Sequence, residues 1–171
     1  MVDFESVYLE YYLTVYRFAY SLCRNEHLAE EISQETFLKA FNSFSEFRGD
    51  CTVRTWLCQI AKNLCYSYWR KQKKEQRTIS AEQAQDDFSA RFYDRETSAQ
   101  LHALIHQLKE PYKEVFLLRV FGELSFSEIS RLFQKTVSWA RVTYHRAKTT
   151  LLDQLKMCIR DRSASCQKSN L

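Results

Sequence analysis

Two glycines and one proline in 171 residues constrain this chain more than any other feature. Ordinary usage is about 7% glycine and about 5% proline. A β-rich fold needs many tight turns, and the residues that make them are missing. Leu, Ala, Glu, Gln, Lys and Arg, all good helix formers, are plentiful instead. The reading is all-α: two small helical units joined by a flexible linker.

Hydrophobic spacing predicts the helices. Val7, Tyr11, Val15, Phe18 and Leu22 form one buried face over Asp3–Cys23. Asn25 can cap a second helix running to about Phe44, with Leu28, Ile32, Phe37, Ala40, Phe41 and Phe44 inward. Gly49 breaks the chain, and Thr55 can cap a third helix from Trp56. Its apolar stripe is Leu57, Ile60, Ala61, Leu64 and Tyr68. Residues 75–95 are polar, with weak apolar periodicity, and read as the linker. A helix then spans Thr97–Leu108, and Pro111 suits the first turn of the next. Gly122 is expected as its left-handed C-cap. Ser125-Phe126-Ser127-Glu128 has the S-x-x-E form of a capping box. A short helix, a turn at Gln134-Lys135 and a Thr136-capped helix from Val137 to about Lys156 complete a helix-turn-helix pattern. Val137, Ala140, Tyr144, Ala147 and Leu151 keep its core spacing.

Charge is unevenly divided. Lys and Arg less Asp and Glu give −5 over residues 1–47, +6 over 48–77, −3 over 78–110, +4 over 111–156 and +2 beyond. Two basic segments with an acidic spacer suggest two contacts to a polyanion. Phe47 to Lys74 is the denser of the two. There Trp56, Asn63, Tyr66 and Arg70 share a stripe, ending in Arg70, Lys71, Lys73 and Lys74. Rings that stack on bases beside phosphate-binding cations suit single-stranded nucleic acid. The same rings would also complete a core against the first two helices, and spacing alone leaves both readings standing. On the last helix Ser138, Arg141, His145 and Lys148 line a polar stripe, with Trp139, Thr143 and Arg146 beside it. Arginine can grip guanine while lysine and threonine position phosphates.

Other chemistry is poorly supported. The six cysteines include no C-x-x-C pair, and Cys51, Cys58 and Cys65 recur every seven residues. Two helical turns separate Cys58 from Cys65, too far for a disulfide. Buried free thiols are expected. His27, His102, His106 and His145 are dispersed, no phosphate-binding glycine loop is present, and neither catalysis nor a metal or other cofactor is expected. The start MVDFESVY is not a secretory signal, and no apolar run is long enough to insert in a membrane, so a soluble cytoplasmic protein is expected.

Two stretches in order resemble one family. AEEISQETFLKAF followed by FRGDCTVRTWLCQIAKNLCYSYWRK resembles region 2 of the extracytoplasmic-function (ECF) sigma factors of bacterial RNA polymerase, within the sigma-70 family. LKEPYKEVFLLRVFGELSFSEISRLF followed by KTVSWARVTYHRAK resembles their region 4. The resemblance implies region 2 over residues 1–74, a linker over 75–95, region 4 over 96–156 and a non-native or disordered tail over 157–171. It implies a sigma factor that binds core polymerase, recognises minus-ten and minus-thirty-five promoter elements and promotes initiation in response to envelope or other stress. Glu31, Gln34, Glu35 and Phe37 match the segment that binds the β′ clamp helices. Arg48, Arg54, Trp56, Asn63, Tyr66, Arg70 and Lys71 would contact the minus-ten element. Ser138, Trp139, Arg141, Thr143, His145, Arg146 and Lys148 would contact the minus-thirty-five element. Implied partners are core polymerase (β′ clamp helices and β flap), promoter DNA and a membrane-anchored anti-sigma factor. Where the family usually has Asp and Gly, this chain has Ser67 and Gln134, and Val137 stands where an acidic residue is common. A regulator that binds duplex DNA through the helix-turn-helix alone is the competing reading of the same residues.

Overall fold

The computed structural model describes residues 4–76 and 95–168, and every regular element among them is helical. Seven α-helices follow in order: α1 Phe4–Cys23, α2 Glu26–Ser43, α3 Val53–Gln76, α4 Arg95–Gln107, α5 Tyr112–Val120, α6 Phe126–Leu132 and α7 Val137–Lys168. A 3-10 turn, Phe44–Glu46, follows α2. The chain is thus all-α, as the scarcity of turn residues requires. The expected linker falls almost wholly on residues outside those described. Helix α7 continues past Lys156 to Lys168, into the segment expected to be non-native or disordered.

Helices α1, α2 and α3 pack on one another, and α5 and α6 pack on α7. In the first group Val7, Val15, Phe18 and Leu22 are buried, as their spacing predicts. They meet Ala29, Ile32, Phe37 and Ala40 of α2 and Leu57, Ala61 and Leu64 of α3. Asn25 caps α2, its Oδ1 accepting from Leu28 N–H at 2.9 Å. Ser33 and Thr36 are buried too, and each hydroxyl donates to the carbonyl four residues back at 2.6 Å, so neither is orphaned. Phe41, expected inward, is 61% exposed; its ring meets Phe4 edge-on at 5.2 Å but otherwise faces out. Helix α3 begins earlier than expected. Thr52, not Thr55, caps it: its carbonyl accepts from Trp56 N–H at 3.0 Å, and its hydroxyl from Thr55 N–H at 3.3 Å.

In the second group the capping box forms in full. Glu128 N–H donates to the Ser125 hydroxyl at 3.2 Å, and Ser125 N–H to the Glu128 carboxylate at 2.7 Å. Thr136 caps α7, accepting from Trp139 N–H at 3.1 Å. Gly122 is not the left-handed residue after α5. Glu123 is, at φ 56°, while a Cβ on Gly122 would come 2.8 Å from the Leu118 carbonyl oxygen. Gly122 is therefore a close-approach glycine. Gln134 takes the left-handed conformation in the helix-turn-helix turn, at φ 53°.

Candidate nucleic-acid and polymerase interfaces

Helix α7 presents a divided surface. Ala140, Thr143, Ala147 and Leu151 face the core, with Tyr144 stacked on Phe116 at 5.8 Å. Ser138, Arg141, His145, Arg146 and Lys148 are exposed along the opposite side, and Trp139 is half-buried against Phe133. Thr143 is a correction to the minus-thirty-five set. It is 4% exposed, inside the helix packing, and cannot reach a groove. Its place in the buried row, three residues after Ala140 and four before Ala147, is what the polar residue type concealed. Val137, given to the core by spacing, stands partly exposed at the helix start.

On α3 the predicted stripe is split by burial. Arg48, Asn63, Arg70 and Lys71 are exposed. Trp56 is half-buried in an aromatic group, 4.9 Å from Phe47 and 6.2 Å from Phe44 between ring centroids. For Trp56 the core reading therefore describes most of the ring. Tyr66 meets Trp69 edge-on at 5.5 Å. Burial, then the nearby Glu114 and Glu110 carboxylates, push its hydroxyl up to about 12. Arg54 is engaged, its Nη1 lying 3.6 Å from a Glu123 carboxylate oxygen and donating to the Glu123 carbonyl at 3.3 Å.

The expected docking face on α2 holds Glu31, Gln34 and Glu35 exposed on one side. Glu35 pairs with Lys39 at 3.0 Å, and Glu31 lies 3.7 Å from His27. Phe37 does not belong to that face. At 4% exposure it lies under Tyr8 and Tyr12, with centroids at 4.9 and 6.0 Å. Its helical position turns inward with Ala40, so it can only support the surface. Leu38, which spacing did not single out, is exposed instead.

Cys58, Cys65, His102 and His106 have packing roles. Cys23, Cys51, Cys58, Cys65 and Cys158 are free. Burial pushes the Cys58 and Cys65 thiols up to about 12, which leaves them unreactive at neutral pH. His102 lies between Tyr20 and Phe121, while His106 Nε2 is 3.0 Å from the Ser21 carbonyl oxygen. Burial holds both rings below the usual histidine range. Among the described residues no group of three His, Cys, Asp or Glu could hold a metal ion, and no helix is long and apolar enough to cross a membrane.

Comparison with known proteins fits this division. Residues 7–75 match the family Sigma-70 region 2, and residues 98–151 match Sigma-70, region 4. The ECF RNA polymerase sigma factor SigM of Bacillus subtilis is 30% identical over 156 residues, covering 86% of this chain and 91% of that protein. The RNA polymerase sigma factor YlaC of the same organism is 29% identical, covering 86% and 88%. The sigma factor RpoE of Bartonella quintana, solved in complex with the anti-sigma factor NepR, shares the fold at a TM-score of 0.69 and 22% identity, covering 90% of this chain and 97% of that one. CnrH, solved with the cytosolic domain of CnrY, shares it at 0.68 and 19%, covering 90% and 88%. The chain belongs to the sigma-70 family of RNA polymerase sigma factors, in its extracytoplasmic-function group. It is a transcription-initiation factor with a DNA-binding region 4.

Proposed function

We propose that this sigma factor recognises a bipartite promoter, using α7 for the minus-thirty-five element and the Arg48–Lys71 segment for the minus-ten element. The observation that carries the reading is the exposed polar row of α7, presented by a fully capped α6 and a left-handed turn. Such an arrangement suits a helix lying in a major groove. Arg141 and Arg146 are the candidates for base or phosphate contact there, with Ser138, His145 and Lys148 alongside. On α3, Asn63, Arg70 and Lys71 are exposed and Tyr66 is partly so, which suits a melted strand. The exposed carboxylates and amide of Glu31, Gln34 and Glu35 support docking on a basic element of core polymerase, the β′ clamp helices, with the β flap a contact for region 4.

Control by an anti-sigma factor and a stress-linked regulon belong to the same proposal. A sigma factor of this fold was solved with an anti-sigma factor, and this chain presents the same architecture. Run-off transcription with core polymerase tests the reading. Initiation from a selected promoter with spaced minus-thirty-five and minus-ten elements is expected. DNA binding with no polymerase association would overturn it in favour of a stand-alone helix-turn-helix regulator.

A further inference from the structure

Arg119, in the last turn of α5, is half-buried and makes no ion pair among the described residues. Its Nη1 donates to the Leu124 carbonyl at 2.8 Å, and its guanidinium carbon lies 4.8 Å from the centroid of the Phe126 ring. These two contacts span the turn between α5 and α6. Leu124 is fully buried, and its own N–H donates to the Leu118 carbonyl at 3.1 Å. Arg119 thereby satisfies the carbonyl one residue before the Ser125 cap. A planar guanidinium can donate from its edge while resting on a ring, a combination that a compact ammonium does not match.

Phe126 passes this hold on to α7. Its ring meets Tyr144 edge-on at 5.6 Å, and Tyr144 is stacked on Phe116 at 5.8 Å. Phe116 lies three residues before Arg119 on α5, so Arg119, Phe126, Tyr144 and Phe116 close a circuit through α5, α6 and α7. Tyr144 stands within the span of the polar row. Arg141 precedes it by three residues, Lys148 follows by four, and the adjacent His145 ring is 5.8 Å from its own. The other core residues in this stretch of α7 are small: Ala140 and Ala147 are fully buried and Thr143 nearly so. Small side chains bring helices close but key their rotation weakly. Tyr144 is the large one, so it sets the roll of α7 about its axis. With side chains reaching about 5–6 Å from that axis, a roll of about 10° moves a guanidinium by about 1 Å. A binding constellation needs its groups held to within about 0.5 Å, or about 10–20°.

We propose that Arg119 is a positioning residue for the minus-thirty-five contact: through Phe126 and Tyr144 it fixes the roll of α7, and with it the aim of Arg141 and Arg146, without touching DNA. The inference rests on the reading of α7 as the minus-thirty-five helix. It accounts for a half-buried cation that is satisfied by a carbonyl and a ring rather than by a carboxylate. It also makes discrimination between promoters, not overall affinity, the property that Arg119 controls.

Promoter binding by the holoenzyme tests this, on a selected promoter and on the same promoter with its minus-thirty-five element scrambled. The ratio of the two affinities is the selectivity. Arg119→Met should lower it about fivefold, the loss expected of one cation–ring contact with its hydrogen bond. Phe126→Leu should lower it by a similar factor. The double variant should fall no further than the worse single, because both remove one link. The slope of log affinity against log salt should match the parent's, since no phosphate contact is lost. In the free full chain, amide resonances of residues 141–148 should move in Arg119→Met while those of α1 and α2 stay in place. A variant that melts earlier yet keeps the parent's selectivity would overturn the proposal, leaving Arg119 a packing residue. Additive losses in the double variant would also overturn it, and so would a salt slope shallower by about one, the mark of a phosphate contact. Should Arg119→Met lose helical signal by circular dichroism, Arg119→Lys decides. It keeps the charge but not the paired contacts, and should lower selectivity about twofold; parental selectivity would overturn the proposal. A parent holoenzyme with no preference for the selected promoter would defeat the minus-thirty-five reading. The amide resonances would still judge the circuit, and unmoved signals at residues 141–148 would overturn it.

Discussion

The helix-turn-helix group and the three-helix group differ in how much of their candidate surfaces is engaged by the rest of the chain. On α7 the row from Ser138 to Lys148 is open to solvent, and its cations make no ion pair among the described residues. Around α3, Arg54 is held by Glu123 and its neighbours Thr55 and Lys62 by Glu128 and Glu114, while Arg48, Asn63, Arg70 and Lys71 stay exposed. The groups also differ in how they are held. The second relies on local devices: the Ser125–Glu128 box, the Thr136 cap and the left-handed Gln134. The first relies on ring contacts between distant positions. Tyr8, Tyr12, Tyr16 and Tyr20 form a ladder along α1, and Phe37 of α2 packs on its first two rings. A surface built on local signals can be ready before the fold closes, whereas one built on long-range packing is shaped by its neighbours.

The largest test of this contrast is Phe18→Ala. Phe18 is 1% exposed at the centre of the first group, and its truncation should cost about 3–5 kcal/mol. Hydrogen exchange should show α1–α3 losing protection while α5–α7 keep most of theirs. Equal loss in both groups would mean one cooperative unit and would break the contrast. Next in size is Arg141→Ala. Affinity for a selected minus-thirty-five duplex should fall by about 1–3 kcal/mol, with melting temperature unchanged, since Arg141 is exposed and outside the core. An equal loss on every duplex would reduce Arg141 to a phosphate contact. Gln134→Gly should then stabilise the chain by up to roughly 1 kcal/mol in denaturant unfolding, because only glycine takes φ 53° without a Cβ penalty. A destabilised variant would show that the Gln134 side chain matters more than its backbone.

The smallest effect is the acid response of Glu128, which is only partly buried and so partly screened. Burial pushes its carboxyl up, but hydrogen bonds from Ser125, Thr52 and Thr55 outweigh that and bring it down to about 2. Its stabilising contribution is complete above the ordinary value of 4.5 and is lost as pH falls toward about 2. The stability gap between the parent and Glu128→Gln should therefore narrow across that window in an acid titration. A gap unchanged down to pH 2 would mean that the carboxylate charge contributes nothing to either the cap or the contact with Thr52 and Thr55.

Local patterns in the chain were sufficient for the helices and for the helix-turn-helix. Scarce glycine and proline, the apolar spacing of α1, Asn25, the Ser125–Glu128 box and Thr136 all act within a few residues, so they read directly. Phe41 and Thr143 did not. Each lies near the edge of an apolar stripe, and whether it turns in or out depends on the neighbouring helix. Residue type misled in the same places: Thr143 is polar yet buried, its space set by the packing of α7 on α5 and α6, while Phe41 is aromatic yet exposed.

What the sequence determined by itself was the helical alphabet, the two basic segments and the family they resemble, because propensity, capping and charge are properties of short stretches. What only the tertiary structure decided was which of those basic residues are free. Thr52 and Glu128 are 76 residues apart in the chain, Arg54 and Glu123 69, so no local pattern announces their meeting. Folding brings carboxylates of one half onto Arg54 and Lys62 of the other, and that placement separates the cations left free from those already engaged.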